Sequence, residues 1–98
     1  MRWFEWDPEK ARSNQRKHGI SFAIAQDVFS DPDALSRDRM EGERRWQTLG
    51  LAGGVLLLLV AHTVENDGQD EIIHIISARR ANRKERKRYE KERQKNYS

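Results

Sequence analysis

The sequence predicts an α+β domain in which an antiparallel β-sheet carries two N-terminal helices and a basic C-terminal helix, and three observations support this. Helical spacing of apolar residues is confined to the first third of the chain. From residue 34 to residue 80, leucine-rich and β-branched runs alternate with the turn-forming stretches "MEGE", "GG" and "ENDGQD". Beyond residue 80 apolar residues almost vanish and good helix formers take over. At 98 residues the chain suits one compact domain, 1–98, with a modest core and little room for a second folded unit.

"RWFEW" is short and aromatic and is followed by Asp7-Pro8. It reads as a first strand, after which Asp7 caps a helix and Pro8 takes its first position. That helix, over roughly 8–17, is mostly polar and is closed by Gly19, which supplies the left-handed residue past its end. Ser21 caps a second helix in which Phe22, Ala25, Val28 and Phe29 recur at helical spacing, and "SDPD" stops it. "ALSRDR" is a weak strand, "RRWQTLGLA" a better one, "VLLLLVAHT" the strongest and "DEIIHIISAR" the last, forming an antiparallel meander. The unbroken "VLLLLV" marks a central strand buried on both faces, because a strand with one wet face alternates. From Ala81 to about Lys95 a helix follows with only Ala81 and Tyr89 as apolar anchors. Two short helices and a polar tail cannot cover both faces of such a sheet, so part of it is left open for a ligand or partner.

Charge is distributed unevenly. Residues 79–98 hold ten Lys or Arg against three Glu, whereas residues 1–78 hold nine against thirteen acids. This is the footprint of a chain that meets polyphosphate, since each neutralised phosphate releases counterions. An acidic protein partner would use the same charge, and a solvated helix laced with Arg86–Glu90 and Arg88–Glu92 pairs also accounts for it. The absence of cysteine excludes a disulfide framework, a thiolate nucleophile and a Cys-based zinc site. The longest apolar run is far short of a membrane span and the N-terminus lacks the apolar core of a signal peptide, so the expectation is an untargeted cytoplasmic chain without membrane contact.

Four short stretches, "FEWDPEKARSNQRKHGISF", "VFSDP", "GERRW" followed by "LG", and "IISARRANRKERKRYE", together resemble the BrnT toxins in order and approximate spacing across residues 4–90. These toxins are the RelE-like ribonuclease half of BrnT–BrnA type II toxin–antitoxin systems. The resemblance implies a RelE-type fold and an endoribonuclease that cleaves mRNA and halts translation. It also implies a ribbon-helix-helix BrnA-like antitoxin that neutralises the toxin, with operator DNA reached only through that antitoxin. The alternative is a module without catalysis that binds nucleic acid, or docks a protein, through the basic C-terminal helix.

Metal-free RNA cleavage uses the 2′-hydroxyl as internal nucleophile, so the protein supplies a base, cations for the phosphorane and an acid for the leaving oxygen. No cofactor or metal is expected. Arg79 and Arg80 point to opposite faces by the period of a strand, and the "SAR" match implies Arg79 as the catalytic one. A bracing contact from Arg79 to an acid of the first helix is the structural alternative. The "KHG" match makes Lys17 a phosphate or proton-transfer candidate and His18 a general acid or base. The helix dipole and C-terminal capping explain both without function. Glu43 and Arg45, two apart on a strand, share a face and suit a base beside a phosphate clamp, or a simple surface pair. Arg80 and Arg83 in the basic stretch and Trp46 beside Arg45 are RNA-binding candidates, although strand tryptophans more often serve packing. His62 and His74 lie on adjacent strands, but two histidines without a third ligand are weak evidence for a metal. His74 stands where the family commonly has arginine, and "HTVENDG" lacks an arginine often found after that threonine.

Overall fold

The computed structural model describes residues 1–41 and 43–97, with side chains described for 1–39 and 45–95. Among these, five strands form one sheet in the order β1-β5-β4-β3-β2. The strands are β1 Arg2–Trp6, β2 Leu35–Glu41, β3 Glu43–Ala52, β4 Leu56–Asp67 and β5 Asp70–Arg80. The helices are α1 Pro8–His18, α2 Phe22–Ala25 and α3 Arg83–Tyr97, with a 3-10 turn at Gln26–Ser30.

The expected meander from β2 to β5 is present. The edge differs: β1 pairs parallel with β5, Phe4 beside Ile73 and Trp6 beside Ile75, so the sheet is mixed rather than wholly antiparallel. Parallel neighbours need a long connection, and here it comprises both N-terminal helices and three intervening strands.

Local signals explain the first elements. The Asp7 carboxylate accepts from the Glu9 N–H at 2.9 Å, and Gly19, at φ 70°, donates its N–H to the Gln15 carbonyl at 2.9 Å. Ser21 Oγ accepts from the Ile24 N–H at 3.1 Å. The second helix is shorter than its periodicity suggests, because after Ala25 the backbone tightens to a 3-10 turn that still buries Val28.

Two cores lie on opposite sides of the sheet. On the helical face, Ile20, Phe22, Ala25 and Val28 pack on Leu58, Val60, Ile73, Ile75 and Ala78. On the second face, Tyr89 of α3 packs on Leu49, Leu57 and Leu59. Leu57, Leu58, Leu59 and Val60 are therefore all buried in the central strand, as their unbroken run requires. Gly50 is needed where the 3-10 turn crosses β3, since a Cβ there would lie 2.9 Å from Val28 Cγ1.

Side chains satisfy the backbone where strands run out. Beyond Trp6, β5 continues without β1, and there the buried Asn14 carboxamide accepts from the Ala78 N–H at 3.0 Å and donates to the Ala78 carbonyl at 2.9 Å. It also donates to the Ile20 carbonyl at 2.9 Å, so one side chain of α1 stands in for a missing strand neighbour. At the other edge Asp31 accepts from the Leu51 N–H at 2.8 Å and from the Tyr89 hydroxyl at 2.7 Å, tying α3 to β3. Burial pushes the Asp31 carboxyl up, but the hydrogen bonds from Leu51, Tyr89 and Asp33 and the nearby Arg93 outweigh it and hold the group below its ordinary value.

The helices cover the sheet toward the Ala78 end. A β-bulge between Ala61 and His62 then decides which β5 residues face which side, pairing Ala61 with Ser77 but His62 with Ile75. The half of the second face nearest the β2–β3 and β4–β5 hairpins has no helix packed on it among the described residues.

Candidate functional site

That open half carries one row of polar side chains running across all five strands. Glu5 stands beside His74, His74 opposite Thr63, and Arg45 opposite Arg39. Because Trp46 pairs with His62, the same register sets Arg45 against Thr63. Glu5, Lys10, Arg45, Thr63 and His74 line a single cavity of about 370 Å³. With strands roughly 4.8 Å apart, the His74 and Arg45 backbones are roughly 10 Å apart. Arg37, two residues from Arg39, shares this face and lines a smaller cavity of about 190 Å³ with Arg88 and Glu92 of α3.

Two carboxylates flank the imidazole at the β1 end of the row. His74 Nε2 is 3.1 Å from Glu65 Oε2, and its Nδ1 is 3.5 Å from Glu5 Oε2. Toward β2 the row ends in the guanidinium groups of Arg45 and Arg39, both on exposed residues. The row thus offers guanidinium groups suited to bidentate contacts on one side of Thr63 and an imidazole with carboxylates on the other.

Arg79 is on the same face, opposite Leu59, and donates to Glu85 of α3 through Nη1 at 2.8 Å and Nη2 at 2.9 Å. Glu85 also accepts from the Asn82 N–H while Asn82 Oδ1 accepts from the Glu85 N–H, a capping box at the start of α3. The bracing acid therefore belongs to the last helix, not the first. These hydrogen bonds raise the Arg79 pKa and hold the Glu85 carboxyl below its usual range. Arg79 shares a row with Leu59 and Leu49, four residues along β3 from Arg45, so the two arginines are separated by roughly 13 Å along the strand and two strand spacings across it.

The other sequence candidates are dispersed. Glu43 opens β3 opposite Glu41, but its side chain lies outside the described residues. Lys17, exposed, and His18, half-buried, are in the last turn of α1, one turn beyond the Asn14 that touches Ala78, at the far end of β5 from the row. Arg80 pairs with Leu58 and faces the helical side, and Arg83 is the exposed first residue of α3. Trp46 is half-buried on the helical face beside His62. His62 and His74 are on opposite faces. His62 Nε2 is 2.7 Å from Thr48 Oγ1, which is 2.8 Å from Ser36 Oγ, and burial pulls the imidazole pKa down to about 4, so it is neutral at pH 7.

Arg37, Arg39, Glu5, Thr63 and His74 were not singled out as site residues in the sequence. The signal for the arginines was present: "SRDR" alternates, and the β2–β3 register sets Arg39 opposite Arg45. Among the described residues no group of three or more His, Cys, Asp or Glu side chains is placed to hold a metal ion. No described helix is long and apolar enough to cross a membrane.

A family model described as the ribonuclease toxin, BrnT, of type II toxin–antitoxin systems matches residues 6–85. No curated protein matches the chain. A solved structure similar to it is the ribonuclease toxin BrnT of Brucella abortus, with a TM-score of 0.57 and 24% identity over 85% of this chain and 99% of that one, which shows a common fold.

Proposed function

The chain belongs to the BrnT ribonuclease toxin family of type II toxin–antitoxin systems, and from that membership we propose that it is a metal-independent endoribonuclease that inhibits translation by cutting RNA on the open half of its sheet. The observation that carries this reading is the cross-strand row ending in Arg45 and Arg39, with Arg37 on the same face. Their guanidinium groups neutralise the bound phosphate and the charge that builds on its equatorial oxygens as the 2′-hydroxyl attacks. Glu43, two residues before Arg45 on β3, is assigned to this site as well. Arg79 serves it from the α3 side, after exchanging Glu85 for phosphate. Arg80, Arg83, Lys17 and His18 extend the basic surface around the Ala78 end, where RNA beyond the scissile bond is held by charge. Trp46, on the other face, is reached only by a base that passes round the β2 edge.

The RelE-like architecture and a BrnA-like ribbon-helix-helix antitoxin, through which alone the protein meets operator DNA, belong to the same proposal. Type II membership itself implies an antitoxin partner and an RNA target. Purified protein is incubated with RNA and, separately, with DNA, each with and without chelator. The expected result is cleavage of RNA alone, insensitive to chelator, and lowered at least a hundredfold in Arg45→Ala/Arg39→Ala. Intact RNA after prolonged incubation with folded protein, together with unaffected growth on overexpression, would sink the nuclease and leave a binding module.

A further inference from the structure

Outside the arginines, the imidazole of His74 lies between two carboxylates, Glu5 beside it in the row and Glu65 farther along β4. From this juxtaposition we propose that His74 is the general acid and Glu5 the general base of RNA cleavage, with Glu65 positioning the His74 ring. The inference rests on the nuclease reading above and adds the groups that move protons.

Three features of the geometry support it. First, His74 and Glu5 are cross-strand neighbours on β5 and β1, so both side chains leave the sheet on the face that carries Arg45. Second, the two share one cavity with Arg45, Thr63 and Lys10, so a phosphate held by the guanidinium is within their reach. Third, the two ring nitrogens have different partners. Nε2 is hydrogen-bonded to Glu65 at 3.1 Å, which fixes the ring plane, whereas Nδ1 is 3.5 Å from Glu5, too long for a good hydrogen bond and open to an incoming oxygen. The charged groups facing the ring are Glu5 from β1, Glu65 from β4, Arg45 from β3, and Asp7 and Lys10 at the start of α1.

The proton balance closes within the pair. Glu5, ionised, takes the proton of the 2′-hydroxyl as O2′ forms its bond to phosphorus. The bond from phosphorus to O5′ breaks, and O5′ takes a proton from Nδ1 of protonated His74. The products are a 2′,3′-cyclic phosphate and a free 5′-hydroxyl. Glu5 is left protonated and His74 neutral, and transfer across the short gap between them restores the starting state without an outside acid or base. The side chains of all three residues are partly exposed, 38% for His74, 61% for Glu5 and 62% for Glu65, so conservative replacement leaves the core untouched.

The test uses the full chain and an RNA oligonucleotide carrying a cleavage site mapped with the wild type, made either with O5′ at the scissile bond or with sulfur in its place. A thiolate leaves without protonation. His74→Gln is expected to lower kcat on the oxygen substrate by 10²–10⁴-fold. On the sulfur substrate it should act within about tenfold of wild type, and the limb of the pH profile that reports a protonated acid should be gone. Glu5→Gln is expected to slow both substrates alike, because the base is needed whichever atom leaves. Glu65→Gln is expected to reduce kcat modestly and leave KM unchanged. If His74→Gln cleaves like wild type, or loses as much on sulfur as on oxygen, the assignment of the acid is wrong while the nuclease reading stands. If Glu5→Gln retains full rate, the assignment of the base is wrong. If the folded wild type cuts no RNA, so that no site can be mapped, both the inference and the reading beneath it fail.

Discussion

The Asn14 carboxamide offers the sharpest test of how the fold is closed. Asn14→Ala removes the partner of three backbone groups at once, the Ala78 N–H, the Ala78 carbonyl and the Ile20 carbonyl. Each buried group left unsatisfied costs about 1–3 kcal/mol, and the N–H is the most demanding because it has no second way to be paired. Water entering the space recovers part of this, so the expected net loss is about 3 kcal/mol. For a domain of this size that corresponds to a fall in Tm of roughly 12–20 °C. Urea unfolding, followed by tryptophan fluorescence and circular dichroism, reads it directly. Asn14→Asp refines the argument. Its carboxylate still accepts from the Ala78 N–H but faces two carbonyl oxygens with no proton to offer, so at neutral pH it should be at least as destabilising as the alanine. A loss below about 1 kcal/mol in Asn14→Ala would show that Asn14 does not stand in for a strand, and that the part of β5 beyond Ile75 is held by its β4 pairing alone.

His62 is buried and neutral, with a folded pKa of about 4 against about 6.5 unfolded, so the unfolded chain takes up the extra proton as pH falls between those values. Stability is therefore expected to be full above about pH 6.5 and to drop by about 3 kcal/mol on going to pH 4, and His62→Gln should flatten that part of the curve in urea titrations at fixed pH. Gly50→Ala places a methyl group against Val28 Cγ1 at 2.9 Å and Ala34 Cβ at 3.1 Å, and should cost about 1–3 kcal/mol in the same assay. Arg79→Ala breaks the paired hydrogen bonds to Glu85, but the arginine side chain is 39% exposed and screened, so the expected loss is only about 1 kcal/mol. A double-mutant cycle with Glu85→Ala isolates that coupling, and any fall in RNA cleavage beyond the stability loss measures the contribution of Arg79 to the site.

Much of the fold was legible because its signals are local. Asp7-Pro8, Gly19 and Ser21 announce helix ends through chemistry that acts over two or three residues, and "VLLLLV" announces a central strand by its lack of alternation. The parallel edge was not legible, since nothing near Arg2–Trp6 says whether its partner is the next strand or the last one. The site was legible in part. Arg79 and Arg80 do divide between the faces, as strand alternation requires. Which face each takes depends on the bulge opposite Ala61 and His62, an insertion of one residue that apolar periodicity in "IIHIIS" does not mark. In the sequence His74 stands alone, without a third ligand or a neighbouring acid to mark it. Its significance comes from Glu5 and Glu65, brought to it from strands far apart in sequence.

The edge strand β1 has a consequence for synthesis. Its partner begins at Glu71, 69 residues downstream of Arg2, so a chain emerging from the ribosome must extend past Glu71 before β1 can be placed. Glu5 and His74 come together only in that closing step. A nascent chain that has not yet released β5 thus carries the β2–β3 pair with Arg39 and Arg45 but lacks the strand that joins His74 to Glu5.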